Sequence, residues 1–112
     1  MALNLSKILK LINMTDFNTI IKGEVPVLVD FYADWCAPCK MMPPILKQVK
    51  DQLGDKIRII KINTEKNRAI SEKFQIQSIP TMILFKNGEK AWKTSGVMQA
   101  TQLLATLKYY IN

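Results

Sequence analysis

The stretch Trp35-Cys36-Ala37-Pro38-Cys39-Lys40 holds the only two cysteines of the chain, and it follows an apolar, strand-like run. Two thiols at positions i and i+3 meet easily if the first caps a helix and the second lies in its first turn. The partial positive charge of a helix N-terminus stabilises a thiolate there. Because the thiolate is the nucleophile in disulfide exchange, this spacing predicts redox chemistry.

A structural disulfide and a zinc site are the two other uses of such a pair. The loop closed by the bond would be very short, so the bond would restrict the unfolded chain little. A structural zinc ion takes four ligands, and the chain has no third cysteine and no histidine. Carboxylates or a second chain would have to complete such a site. Redox chemistry is therefore favoured, and both alternatives stay open.

The length and composition are those of one globular domain. The chain has 112 residues, of which 48% are hydrophobic, and this is enough for one core. We therefore expect a single domain over residues 1–112, and a monomer.

The formal charge of +7 is spread over lysines along the whole chain. There is no arginine-rich run and no basic stripe with interleaved aromatic residues, so nucleic-acid binding is not expected. A modest preference for acidic partner surfaces is compatible with this charge. No apolar stretch is long enough to cross a membrane. Lys7 and Lys10 interrupt the first residues, which do not resemble a secretory signal, so we expect a cytoplasmic protein.

Apolar periodicity predicts the order strand, helix, strand, helix, strand, helix, strand, strand, helix. The initial alternation implies parallel strands, and Asn87-Gly88 marks a closing antiparallel hairpin. This is an α/β fold with a central mixed five-stranded sheet and four helices on its two faces. Strands are expected at 8–12, 25–32, 57–62, 81–85 and 90–94. Helices are expected from Thr15 as N-cap to Gly23, from the cysteines to Gly54 with a kink at Pro43 and Pro44, at 67–74 and at 99–111.

These landmarks resemble the thioredoxin family. The matching segments, in the family's order, are Trp35-Cys36-Ala37-Pro38-Cys39-Lys40, Val29-Asp30-Phe31, Ile79-Pro80-Thr81, Phe85-Lys86-Asn87-Gly88 and Gly96. The resemblance implies the thioredoxin fold, with Cys36 as the more exposed attacking nucleophile and Cys39 as the resolving thiol.

Asp30 and Lys61 interrupt apolar strands, where charged groups are unusual. A carboxylate buried in a strand is costly, so we expect a raised pKa for Asp30. The resemblance implies that Asp30 exchanges a proton with Cys39 and that Lys61 tunes Asp30. The alternatives are local hydrogen bonds for Asp30 at a strand end, and a Lys61 side chain that only reaches out to solvent.

The resemblance also implies a substrate-binding surface around the cysteines. Its members are Trp35, Ala37, Pro38, Ile79, Pro80 and Gly96. The Ile79-Pro80 bond is cis in the family, which would leave the backbone of Ile79 free to pair with a substrate strand. A core position is the alternative for Trp35. The chain departs from the family at four points, which are Ala37 for glycine, Tyr32 for tryptophan, and polar Thr64 and Ser95 at docking-surface positions that are often apolar. The resemblance therefore implies that partner docking is more polar than in a typical member.

The function implied by the resemblance is that of a protein-disulfide reductase. No bound cofactor or metal is expected, because the electrons reside in a redox-active Cys36–Cys39 disulfide. A thioredoxin reductase that draws on NADPH would re-reduce it. Expected clients are ribonucleotide reductase, peroxiredoxin and methionine sulfoxide reductase. A disulfide oxidase or isomerase of the same fold is one alternative, although such relatives usually carry histidine where this chain has Pro38. A non-catalytic docking module is the other.

Overall fold

The structure is a computed structural model, and it describes residues 13–111. Helices and strands alternate at first, and a hairpin and a helix close the fold. The helices are α1 (Met14–Ile21), α2 (Met42–Leu53), α3 (Arg68–Lys73) and α4 (Ala100–Ile111). The strands are β1 (Val27–Tyr32), β2 (Arg58–Asn63), β3 (Thr81–Lys86) and β4 (Glu89–Ser95), and short 3-10 turns lie at Pro38–Met41 and Gly54–Lys56.

The four strands form one mixed sheet in the order β2-β1-β3-β4. Strand β1 is parallel to β2 and antiparallel to β3, and β3 is antiparallel to β4. This confirms the predicted mixed sheet with a closing hairpin. The fifth predicted strand, at 8–12, falls outside the described residues.

Strand β1 forms the centre of the protein, and all six of its residues are buried. Because side chains alternate along a strand, Val29 faces one side of the sheet and Leu28 the other. Helices α1 and α3 cover the face of Val29, and α2 and α4 cover the face of Leu28. Helices on both faces were predicted, and this is confirmed. The apolar clusters on the two faces of the sheet hold the carboxyl end of β1 in a fixed position, and the cysteine motif begins just after it.

The N-terminus of α1 differs from the prediction. Asn13, not Thr15, is the N-cap, and its Oδ1 accepts the backbone N–H of Asp16 at 2.8 Å. Thr15 lies inside the helix, where its carbonyl accepts the hydroxyl of Thr19 at 3.0 Å. Both residue types cap helices well. The choice between them follows from the burial of Phe17 on the sheet, which fixes the register of the helix.

The segment after the first cysteine consists of two helices and not one kinked helix. A 3-10 turn, Pro38–Met41, carries Cys39, and α2 starts behind it at Met42. Pro43 and Pro44 occupy the first turn of α2, where a backbone N–H would have no partner within the helix. The predicted kink within a single helix is therefore wrong, and the prolines mark a junction that sets Cys39 apart from α2.

The closing hairpin has the turn that its sequence predicts. Asn87 and Gly88 have φ angles of 53° and 85°, as a two-residue hairpin turn with both φ positive requires. The N–H of Gly88 donates to the carbonyl of Ile21 at the end of α1, at 2.9 Å. The hairpin thereby tethers the edge strand β4 to the opposite end of the fold from the cysteines.

Candidate active site

Cys36 and Cys39 form a disulfide just beyond the carboxyl end of β1, with their Cα atoms 5.3 Å apart. Cys36 lies in the loop after β1, and Cys39 lies in the 3-10 turn. The disulfide packs against Tyr32, Ala33 and Ile79. The pair that the sequence predicts is therefore joined, and it lies where a strand end, a turn and a loop meet.

The prediction that Cys36 is the more exposed cysteine is wrong. The exposed fraction is 3% for Cys36 and 5% for Cys39. The two sulfurs differ instead in their contacts. The Cys36 Sγ accepts the backbone N–H of Cys39 at 3.2 Å, and it lies 3.9 Å from the carbonyl oxygen of Ile79. An N–H donor stabilises a thiolate, so this contact favours ionisation of Cys36 in the reduced protein.

The loop that faces Cys36 contains a cis Ile79-Pro80 peptide bond. The carbonyl of Pro80 accepts the N–H of Gly96 at 2.8 Å, which joins this loop to the end of β4. Ile79 lies outside β3, and within residues 13–111 its N–H and C=O form no hydrogen bond with another backbone group, although the carbonyl contacts the Cys36 sulfur. An extended peptide can therefore pair with Ile79 beside the disulfide.

The predicted substrate-binding residues surround the disulfide. Trp35 is 68% exposed, so the alternative of a core tryptophan is wrong. Ala37, Pro38 and Gly96 are exposed as well, Ile79 is half-buried and Pro80 is buried. We call the surface formed by Trp35, Ala37, Pro38, Ile79 and Gly96 the disulfide rim. Pro80 is buried next to this rim, and its carbonyl accepts the N–H of Gly96, which is part of the rim.

Asp30 lies on the face of β1 that α2 covers, and its exposed fraction is 0%. Burial raises the pKa of Asp30 from 3.8 to about 6, and the positive charge of Lys61 acts in the opposite direction. Neither carboxylate oxygen has a hydrogen-bond partner within the described residues, so the alternative of local hydrogen bonds at a strand end is wrong. A carboxyl with this pKa can gain or lose a proton at a pH not far below neutral.

Lys61 is the neighbour of Asp30 in the parallel pair of β1 and β2. Its side chain reaches the surface, and its Nζ lies 4.5 Å from the centre of the Tyr32 ring. The side chain of Lys61 is thus exposed to solvent, and its charge still lowers the pKa of Asp30. The contact with Tyr32 could not be read from the sequence, although Asp30 and Tyr32 are two apart in one strand and so share a face.

A groove of about 330 Å³ opens beside Cys39. We call it the Cys39 groove, and its lining residues are Tyr32, Ala33, Asp34, Cys39, Lys40, Pro43 and Lys61. It lies on the α2 side of the sheet, as does Asp30. The resolving cysteine therefore borders a space that the side chains of Lys61 and Tyr32 share.

The described part of the chain contains neither a cluster of metal ligands nor a helix that could span a membrane. Within residues 13–111, no three His, Cys, Asp or Glu side chains are placed to hold a metal ion. None of the helices in that range has both the length and the hydropathy needed to span a bilayer.

Comparisons with known proteins agree with this geometry. The family model "Thioredoxin" matches residues 8–109. A thioredoxin-like protein of Synechocystis is 51% identical over 86 residues, which cover 77% of this chain and 82% of that protein. The chloroplastic thioredoxin Y of Oryza sativa subsp. japonica is 49% identical over 87 residues, covering 78% of this chain but only 52% of the relative.

The fold has a close counterpart among solved structures. The oxidised form of mitochondrial thioredoxin 3 from Saccharomyces cerevisiae superposes with a TM-score of 0.79 and 33% sequence identity, covering 87% of this chain and 90% of that one. Family model, relatives and structure all match the part of the chain that carries the disulfide. The chain belongs to the thioredoxin family, whose members are thiol–disulfide oxidoreductases.

Proposed function

We propose that this chain reduces disulfides of client proteins with Cys36 as the nucleophile. The observation that carries this role is the N–H of Cys39 on the Cys36 sulfur, 3.2 Å away. Once the disulfide is reduced, this donor stabilises the Cys36 thiolate. Cys36 also contacts the disulfide rim through Ile79, whereas Cys39 borders the groove on the other side. A client bound at the rim would meet Cys36 first.

The reaction consists of two exchanges of one S–S bond for another. The Cys36 thiolate attacks one sulfur of the client disulfide, forms a mixed disulfide and releases the other client sulfur as a thiolate. Cys39 then attacks the sulfur of Cys36, which frees the second client sulfur. The client gains two electrons and the chain is left with the Cys36–Cys39 disulfide. No external oxidant or metal takes part in these two steps.

Asp30 is the proposed acceptor of the Cys39 proton, because Cys39 must become a thiolate before it can attack. Its pKa of about 6 lets the carboxyl be ionised before the step and protonated after it. Burial between the sheet and α2 supplies this value, and the charge of Lys61 limits the rise. We assign Lys61 the role of tuning the acidity of Asp30.

Client recognition is assigned to the disulfide rim. The N–H and C=O of Ile79, which no other backbone group within residues 13–111 binds, would pair with client main chain, while Trp35 and Pro38 offer apolar contact. Recognition through main-chain atoms accepts many sequences, which suits a reductant with several clients. Ribonucleotide reductase, peroxiredoxin and methionine sulfoxide reductase are the client classes that we propose. A thioredoxin reductase supplied by NADPH is the proposed electron donor.

The proposed compartment is the cytoplasm, where thiols are kept reduced and a dithiol donor can be recharged. The rice relative is chloroplastic, and the chloroplast is therefore the competing location to test. Imaging of the full-length protein fused to a fluorescent protein at its C-terminus, in its own cells, would distinguish a diffuse cytoplasmic signal from an organellar one.

A trapping experiment tests the proposed reduction. Reduction is measured for wild type, Cys36→Ser and Cys39→Ser with insulin as the disulfide substrate and dithiothreitol as the electron source. For trapping, each protein is first reduced, freed of dithiothreitol and then mixed with insulin. Cys36→Ser should be inactive, and Cys39→Ser should accumulate a mixed disulfide with insulin, visible by non-reducing electrophoresis. The proposal is wrong if Cys36→Ser reduces insulin at the wild-type rate. It is also wrong if the mixed disulfide forms only in the Cys36→Ser variant, since Cys39 would then be the nucleophile.

A further inference from the structure

We propose that Tyr32 is a positioning residue of the reduction reaction, whose ring holds the ammonium of Lys61 at the Cys39 groove within electrostatic reach of Asp30. The inference rests on the proposed function, because it concerns the proton transfer assigned to Asp30. It assigns to Tyr32 a task beyond packing, at a position where the ring could otherwise be taken for part of the core.

The strand geometry brings the three side chains to one place. Asp30 and Tyr32 are two residues apart in β1, so their side chains project from the same face of the sheet. Lys61 is the register partner of Asp30 in β2 and projects from that face as well. Both Tyr32 and Lys61 then line the Cys39 groove, directly at the end of β1.

The contact between Lys61 and Tyr32 has the geometry of a cation–π interaction. The Nζ lies 4.5 Å from the ring centre, within the distance at which an aromatic face attracts an ammonium. The ring is 7% exposed and therefore fixed by its surroundings, whereas Lys61 is exposed and flexible. Without the ring, the ammonium would extend into water, because nothing else that the structure shows for residues 13–111 binds it.

The position of the Lys61 ammonium matters because its charge is one of two opposing contributions to the pKa of Asp30. Burial raises the pKa of Asp30 to about 6, and the charge of Lys61 opposes the rise. The other ionisable groups of the groove are Asp34, Lys40 and Cys39, of which Cys39 is the group that would exchange the proton. Burial, followed by the charge of Asp34, raises the pKa of the Tyr32 hydroxyl, so the ring stays neutral over the working range of pH.

Four variants test the proposal by a direct titration of Asp30. The carboxyl is followed by NMR in oxidised protein labelled with ¹³C-carboxyl aspartate, in Tyr32→Leu, Tyr32→Phe, Lys61→Gln and the double variant Tyr32→Leu/Lys61→Gln. Tyr32→Leu should move the midpoint of Asp30 upward, and by no more than Lys61→Gln does, because the ring acts on the carboxyl only through the ammonium. Tyr32→Phe keeps the ring and should titrate as wild type. In the Lys61→Gln background, Tyr32→Leu should cause no further shift.

The proposal is overturned if Tyr32→Leu leaves the midpoint unchanged, or if it shifts the midpoint equally with and without Lys61. A second measurement needs no variant. The ε-methylene protons of Lys61 in the wild-type protein should be displaced upfield by the ring current of Tyr32, and unshifted protons would also overturn the proposal. This measurement keeps the test decisive if Tyr32→Leu folds poorly.

The titration also separates this proposal from the proposed function. The pH profile of insulin reduction is measured with the same variants. If the midpoint of Asp30 moves in Tyr32→Leu as expected while the profile stays fixed, the ring does hold the ammonium near Asp30, but the proton transfer assigned to Asp30 is wrong and Tyr32 has no role in the reduction. If the profile moves together with the midpoint, both are supported.

Discussion

Asp30 and Lys61 are register partners in the parallel pair of β1 and β2, yet the buried carboxylate accepts no hydrogen bond from any group within residues 13–111. A buried charge that is compensated only through space is unfavourable for folding. The sheet therefore retains an ionisable group that the core does not need. We have proposed that this group serves the chemistry of the neighbouring disulfide, and its energetic effect should be measurable as a dependence of stability on pH.

Replacing Asp30 by asparagine should stabilise the oxidised protein at neutral pH. The pKa of the folded state, about 6, lies above the ordinary 3.8, so the unfolded chain releases the proton first as pH rises. The free energy of unfolding of the wild type should therefore fall between about pH 4 and pH 6 and stay low above it. Asp30→Asn should gain up to about 3 kcal/mol at pH 7.5 and almost nothing at pH 4. Urea unfolding at the two pH values measures both.

Asp34→Asn is the matched control for this prediction, because Asp34 is an exposed carboxylate only four residues away. Its effect on the free energy of unfolding should stay below about 0.5 kcal/mol at either pH. If Asp30→Asn changed stability equally at pH 4 and pH 7.5, the cause would be packing and not the charge of the carboxylate.

The two tryptophans should have different roles, since we expect Trp35 to contribute to substrate binding and Trp92 to the stability of the fold. Trp35 is 68% exposed on the disulfide rim, so Trp35→Ala should change the free energy of unfolding by less than about 0.5 kcal/mol. It should raise the KM for insulin about fivefold or more, as the loss of an aromatic anchor does. Trp92 packs half-buried against the core under α2 and α4, and Trp92→Ala should instead cost about 2 kcal/mol of stability. An unchanged KM in Trp35→Ala would remove Trp35 from the binding surface.

The fold could be predicted where the residue pattern of a single strand, helix or turn is sufficient to identify it. The apolar run at 25–32 predicts a strand buried on both faces, and β1 (Val27–Tyr32) is buried at every position. The spacing of Leu103, Leu104, Leu107 and Ile111 predicts the inward face of α4. Leu103 and Leu107 are fully buried, and Leu104 and Ile111 are half-buried. The turn Asn87-Gly88 needs positive φ angles, which these two residues accept readily. In each case the deciding interaction lies within a few residues along the chain.

What the sequence could not predict depends on contacts between distant segments. The burial of Cys36 arises partly from Ile79, and the position of the Lys61 ammonium depends on the register between β1 and β2. Two neighbouring residues, Asn13 and Thr15, both suit an N-cap, and only packing of the helix on the sheet decides between them. The prolines of α2 are a similar case, because they kink a helix in its interior but are tolerated in its first turn, and which of the two applies depends on where the 3-10 turn ends.

A hydroxyl at position 95 should weaken the docking of apolar clients. The Ser95 Oγ lies 3.2 Å from the Thr81 Oγ1, which already donates to the carbonyl of Ser78 at 2.6 Å. Removal of the Ser95 hydroxyl therefore leaves Thr81 with its hydrogen bond. Ser95→Val should lower the KM for a client peptide with apolar residues beside its disulfide by about fivefold, equivalent to about 1 kcal/mol of added apolar contact.

Ser95→Thr is the control, because threonine has the shape of valine and keeps the hydroxyl. Its KM for the same peptide should stay close to that of the wild type. Equal KM values for the Val and Thr variants would show that shape at position 95 matters and polarity does not, contrary to the prediction.

Glycine should be required at position 96 because of the backbone conformation there, and not because a larger side chain would clash with its neighbours. Its φ of +88° is rarely adopted by other residues, although an added Cβ would meet no atom within 4 Å. Gly96→Ala should therefore lower the free energy of unfolding by about 1–2 kcal/mol. Because the Gly96 N–H binds the Pro80 carbonyl at 2.8 Å, the substitution should also displace the loop of Ile79 and lower kcat/KM for insulin while the protein remains folded.

Gly23→Ala is the matched control for Gly96→Ala. At Gly23 the φ angle is outside the left-handed region, and an added Cβ would make an ordinary contact of 3.6 Å with the carbonyl of Ile20. The substitution restricts the unfolded chain without straining the fold, so it should be neutral or stabilise by up to about 1 kcal/mol. Urea unfolding and insulin reduction are measured on both variants. If alanine is tolerated equally at both positions, the left-handed conformation of Gly96 does not hold the Pro80 loop in place.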